Sequence, residues 1–119
     1  MVLDPISTVY EVHGLDEAKK TEIKAFLQGA AYSWIKDRPM EWFAGRTLVG
    51  GTSRNWKETP LEVLYDKHVQ AGKSVEDAVA AAGIDLGHLL KAVLSKDKRT
   101  FQTERAEMVR QYRWIGGMI

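Results

Sequence analysis

The sequence predicts an α+β domain, mostly helical, that closes on a small antiparallel β-hairpin sheet. Three observations carry this. Apolar residues recur at helical spacing through residues 16–37 and again through 85–96. Two aromatic-rich segments, residues 99–104 and 109–115, end the chain, the second with alternating pattern. A length of 119 residues with 45% hydrophobic and 28% charged residues is that of one ordinary globular domain, which buries roughly 65% of its unfolded surface.

The elements follow in order. Residues 6–13 are rich in β-formers and stop at Gly14, which reads as a short strand. Asp16 is a candidate N-cap for a long helix. Ile23, Phe26, Leu27, Ala30, Ala31, Trp34 and Ile35 line its apolar face, and Pro39 ends it near Asp37. Residues 41–48 fit either a short strand or a helical turn, and Gly50-Gly51 closes them; with the terminal hairpin they are expected to complete the sheet. Thr59-Pro60-Leu61-Glu62 is the clearest local signal, with a capping threonine, proline at the first helical position and a glutamate placed to close a capping box. That helix presents Leu61, Leu64, Tyr65, His68 and Val69 on one face and stops at Ala71-Gly72. Ser74 with Asp77 opens a short helix through Ala78, Val79 and Ala82 to Gly83. Asp85 then caps a last helix, with Leu86, Leu89, Leu90, Val93 and Leu94 facing the core. The link between the terminal strands holds no glycine, which argues against a tight two-residue turn.

Much chemistry is excluded by composition. Without cysteine there are no disulfides, zinc-thiolate sites or thiol catalysis, and the chain suits a reducing cytoplasm. No secretory signal opens the sequence and no membrane span is expected. His13, His68 and His88 are scattered, with no pair at metal-binding spacing, so no metal or other cofactor is expected. His68 lies on an apolar stripe and reads as a hydrogen-bonded core histidine, His88 as exposed. No nucleophile, base and carboxylate come together, and the paired glycines lack a following Gly-Lys-Ser/Thr, so no enzyme is predicted.

Charge is uneven. From Gly87 onward seven basic residues stand against three acidic ones; residues 1–86 carry ten basic and thirteen acidic. Such a basic end suits a polyanionic partner. Residues 74–96 place Gly83 at a candidate turn, Ala82 before it, Ile84 after it as an apolar anchor, and Leu89 where a second helix would pack back. This stretch resembles the helix-turn-helix of bacterial repressors, departing from it where Val79 replaces the usual alanine of the first helix. With the wing-like residues 99–115 it is similar to winged-helix proteins. The resemblance implies a single domain that binds double-stranded DNA through a recognition helix starting at Asp85. His88, Lys91, Ser95 and Lys96 would face the groove, and Lys98, Arg99, Arg105, Arg110 and Arg113 would contact phosphates or the minor groove. A solvated charged face is the competing reading of the same residues.

A second function class stays open. Trp56, beside Arg54 and Asn55 in the loop of residues 52–58, is either a candidate interaction surface or a cap on the core. The broad apolar coverage of the first helix, with Tyr32, Trp34 and Ile35, favours a homodimer. The alternatives to a DNA-binding regulator are therefore a protein-interaction module built on that helix or the Trp56 loop, and a small-molecule binder. Across the whole chain, the run of Tyr32-x-Trp34, Glu41-Trp42-Phe43-Ala44, Trp56-x-x-Thr59-Pro60-Leu61 and Tyr112-Arg113-Trp114 resembles small bacterial, phage and gene-cassette (mobile-element) proteins, a likeness that implies no activity.

Overall fold

A computed structural model describes residues 10–51, 56–97, 99–106 and 109–117. The chain is α+β and mostly helical: α1 Glu17–Asp37, α2 Gly45–Leu48, α3 Glu62–Gln70 and α4 Val75–Ser95, then β1 Arg99–Ala106 and β2 Val109–Gly117.

Helix α1 starts where its cap predicts. The Asp16 carboxylate accepts the Lys19 amide at 2.7 Å. Its buried side chains Ile23, Leu27, Ala31 and Ile35 fall at four-residue steps, one stripe against the core. Helix α3 begins later than the capping box implies. Thr59 Oγ1 takes the Leu61 amide at 3.2 Å, Glu62 reaches back to the Glu58 amide at 2.8 Å, and these bonds shape a turn before the helix rather than its first turn. Ala71 and Gly72, at φ +92°, end it as expected.

The largest departure is α4. The sequence reads as two helices broken at Gly83; the structure is one 21-residue helix from the Ser74 cap to Lys96. Ser74 Oγ accepts the Asp77 amide at 3.2 Å, as expected. The buried stripe Ala78, Ala82, Leu86, Leu89, Leu90, Val93 and Leu94 runs across the glycine without a change of phase, and this continuous packing outweighs the roughly 1 kcal/mol that a glycine costs inside a helix. Asp85 is therefore not a cap. Its carboxylate crosses to α3 and meets Lys67 Nζ and His68 Nε2, each at 2.8 Å. His68 is thus hydrogen-bonded as expected, though half-buried. As a single helix α4 is also long and apolar enough, by composition, to cross a membrane; seven of its side chains are instead part of the core against α1, α3 and their neighbours.

The terminal hairpin is antiparallel, with Phe101↔Trp114, Thr103↔Tyr112 and Arg105↔Arg110 sharing one face and a bulge between Thr100 and Phe101. Pairing continues to Ala106↔Val109, so only residues 107 and 108, outside the described residues, connect the strands. The expected longer link is corrected. The expected third strand shrinks to one bridge: Phe43 donates its amide to the Tyr112 carbonyl at 2.8 Å and accepts the Tyr112 amide at 2.7 Å, after which the chain turns into α2. Phe43, Phe101, Tyr112 and Trp56 complete the core with the helix stripes. Residues 10–13 of the expected first strand form no strand pairing among the described residues; the rest of it lies outside them.

Candidate functional site

Between the outer face of α4, the hairpin tip and α2 lies a cavity of about 610 Å³, within the size range of small-molecule sites. Helix α4 supplies one wall. Val79, Ala80, Gly83, Ile84, Gly87, His88 and Lys91 line it, and Leu86 and Leu90 form part of the floor with Trp56 and Tyr112. The register explains the opposite wall. Arg105 and Arg110 pair across the hairpin on the face that carries Phe101 and Tyr112, but two residues beyond the core, so they reach over the cavity. Arg46 enters from α2. Gly45 lets that helix sit close: a Cβ there would stand 3.2 Å from Leu86. Tyr10 lies against the His88 ring, centroids 5.1 Å apart.

The electrostatics are one-sided. Among the described residues, four basic side chains (Arg46, Lys91, Arg105, Arg110) line the cavity with no acidic side chain. Burial pulls the Lys91 ammonium below the ordinary lysine range, and the Arg110 guanidinium adds to that shift. Arg110 also donates to Thr103 Oγ1 at 3.1 Å, which fixes its direction. Burial pushes the Tyr112 hydroxyl up to about 12, so it stays neutral over the working pH range. Such a place favours an anion with an apolar body. Among the described residues no cluster of side chains fits a metal ion.

The residues expected to form a DNA-contacting surface divide. His88, Lys91, Arg105 and Arg110 meet at the cavity, and His88 is half-buried there rather than exposed. Arg99 does not join them. It pairs with Asp97 at 3.0 Å and stacks over Tyr32 at 4.8 Å, while Asp97 also accepts from Gln28 Nε2 at 2.6 Å. Arg113 lies on the opposite face of the hairpin, bonded to Gln102 and stacked over Trp42 at 4.8 Å. Ser95 bonds its own helix at the Ala92 carbonyl, Lys96 is exposed at the end of α4, and Lys98 lies outside the described residues. No separate recognition helix starts at Asp85, because α4 is continuous.

Trp56 is 1% exposed, so its ring caps the core and forms cavity floor rather than an exposed interaction surface; Arg54 and Asn55 lie outside the described residues. The apolar surplus of α1 is partly covered within the chain, while Tyr32 stays exposed. Arg38 stacks on Trp34 at 4.5 Å, Arg99 on Tyr32, and Ile35 is buried. Sequence reasoning missed Arg46 and the apolar α4 wall; the signal was present in Ile84, Gly83 and Gly87, which match no core-facing phase of one continuous helix. No protein-family model, no curated protein and no solved structure matches this chain.

Proposed function

We propose that this protein is a binding module, without catalysis of its own, for a small amphipathic anion held between α4, the hairpin tip and α2. One observation carries the reading: Arg46, Lys91, Arg105 and Arg110 come from three separate elements to one concave, apolar-floored cavity with no acid among the described lining residues. Arg99 and Arg113, two of the cations expected to contact a duplex, are engaged elsewhere, and the cations that do meet stand around an apolar-floored cavity, Lys91 and Arg110 half-buried and Arg46 and Arg105 exposed at its rim. The test is equilibrium binding of anilinonaphthalene sulfonate, followed by fluorescence, against an uncharged naphthyl analogue. The sulfonate binds more tightly, and a Lys91→Glu, Arg105→Glu double variant loses it while melting at an unchanged temperature. Equal affinity for the neutral analogue, or an unchanged affinity in the double variant, contradicts the reading; tight binding of random duplex instead restores the nucleic-acid one.

A protein partner, including a second copy of the chain, is the competing reading. It is favoured by Ile84 and Val75, which are 59% and 53% exposed on α4. Sedimentation at rising protein concentration separates the two: a mass of twice 13.4 kDa that collapses in Ile84→Lys supports the second copy.

A further inference from the structure

We propose that the ligand is a single-chain acyl or alkyl amphiphile, its anionic head among Lys91, Arg105 and Arg110 and its tail along the glycine-bearing face of α4. This rests on the anion-binding reading above and adds the shape of the ligand's apolar part. Gly83, Gly87 and Lys91 follow at four-residue steps, so they stack on one face of the helix, with Ala80 and Ile84 beside them. All of them line the cavity. From Val79 to Lys91 that wall runs about 18 Å, at roughly 1.5 Å per residue. Arg110 is close enough to Lys91 to depress the lysine, and the α4 side chains at the other end of the wall, Val79, Ala80 and Ile84, are apolar.

The glycines are the second argument. Glycine is the least favourable residue in a helix interior after proline, and α4 carries two of them one turn apart. Neither is needed for packing, because a Cβ on Gly83 or Gly87 would meet nothing within 4 Å, and neither has a positive φ. What they supply is an exposed strip of helix surface free of side chains along one wall of the cavity, beside a cationic end. A flexible linear chain can lie along such a strip; a compact ring system would leave its far end empty.

Calorimetric titration with hexanoate, decanoate, tetradecanoate and decyl phosphate tests this at low salt, each kept below its aggregation concentration. Affinity is expected to rise with chain length. In Gly83→Leu, tetradecanoate loses contact for about two methylenes and binds about tenfold more weakly, while hexanoate, too short to reach two turns from Lys91, is unchanged; Gly87→Leu, one turn from Lys91, weakens tetradecanoate at least as much. Lys91→Glu weakens every chain length alike. The two leucine variants check each other, and a melting curve of each confirms folding. Affinity independent of chain length, or leucine variants that leave tetradecanoate unaffected, overturns the tail placement; hexanoate that still binds through Lys91 shows that the anion site itself survives. Failure of all the anions sinks both. Binding to anionic lipid vesicles but to no monomeric chain overturns the proposal in favour of a membrane surface. A Gly83→Leu variant that loses self-association yet keeps its affinity for tetradecanoate assigns the face to a second copy and overturns it as well.

Discussion

Trp56 belongs to the core and to the cavity floor at once. Its polar neighbours suggest exposure, yet the ring is buried, and its indole N–H finds no partner among the described residues. Truncation should therefore be severe. Trp56→Ala is expected to cost about 3–5 kcal/mol in denaturant unfolding, with Trp56→Phe costing markedly less because it keeps ring contact and removes the unpaired donor. A loss below 1 kcal/mol for the alanine variant would place the ring outside the core. Asp85 changes meaning in the same way, from a cap to a cross-link between α3 and α4. Asp85 and its two partners are half-buried, at 14–17% side-chain exposure, so Asp85→Asn should cost about 1–2 kcal/mol, less than a fully buried pair. Lys91 gives a pH signature. Its free-state value is lowered, and an anion beside it favours the charged form and raises that value again. Ligand binding should therefore take up protons between the lowered value and the ordinary lysine value of 10.5, read as a difference in binding heat between buffers of unlike ionisation enthalpy.

At the scale of elements, the caps at Asp16 and Ser74, the stop at Gly72 and the two terminal strands were legible because each is decided locally by hydrogen bonding or alternation. The continuity of α4 was not. Gly83 and Asp85 carry the local marks of a stop and a start, and only the long-range packing of Ala78 through Leu94 on α1 and α3 overrides them. Gly83→Ala discriminates directly. In a continuous helix with open space at the Cβ it should stabilise by about 0.5–1 kcal/mol, whereas at a positive-φ turn it would destabilise. The third strand was over-read for a similar reason: Trp42 and Phe43 are good strand formers, but pairing stops at Phe43 because Ala44 and Gly45 lead into α2, where Thr47 Oγ1 takes the Ala44 amide at 3.2 Å.

For the whole molecule, the sequence showed that positive charge concentrates in the last third but not which of those cations gather around one cavity. Charge distribution along the chain is visible in one dimension; the hairpin register and the packing of α2 on α4 decide which cations meet. Arg46 joins from the net-acidic part, while Arg99 and Arg113 from the basic part are used to cover Tyr32 and Trp42. A partly enclosed cavity screens less than open surface, so anion affinity should fall only modestly between low and physiological salt, unlike the steep loss of a phosphate-tracking DNA binder. The most direct measurement is amide chemical-shift mapping by NMR during titration with decanoate. The account predicts saturable shifts confined to Gly83, Gly87, Lys91, Arg105 and Arg110 with their neighbours. Shifts centred instead on Lys96 and Arg113, or none at saturating ligand, would contradict it.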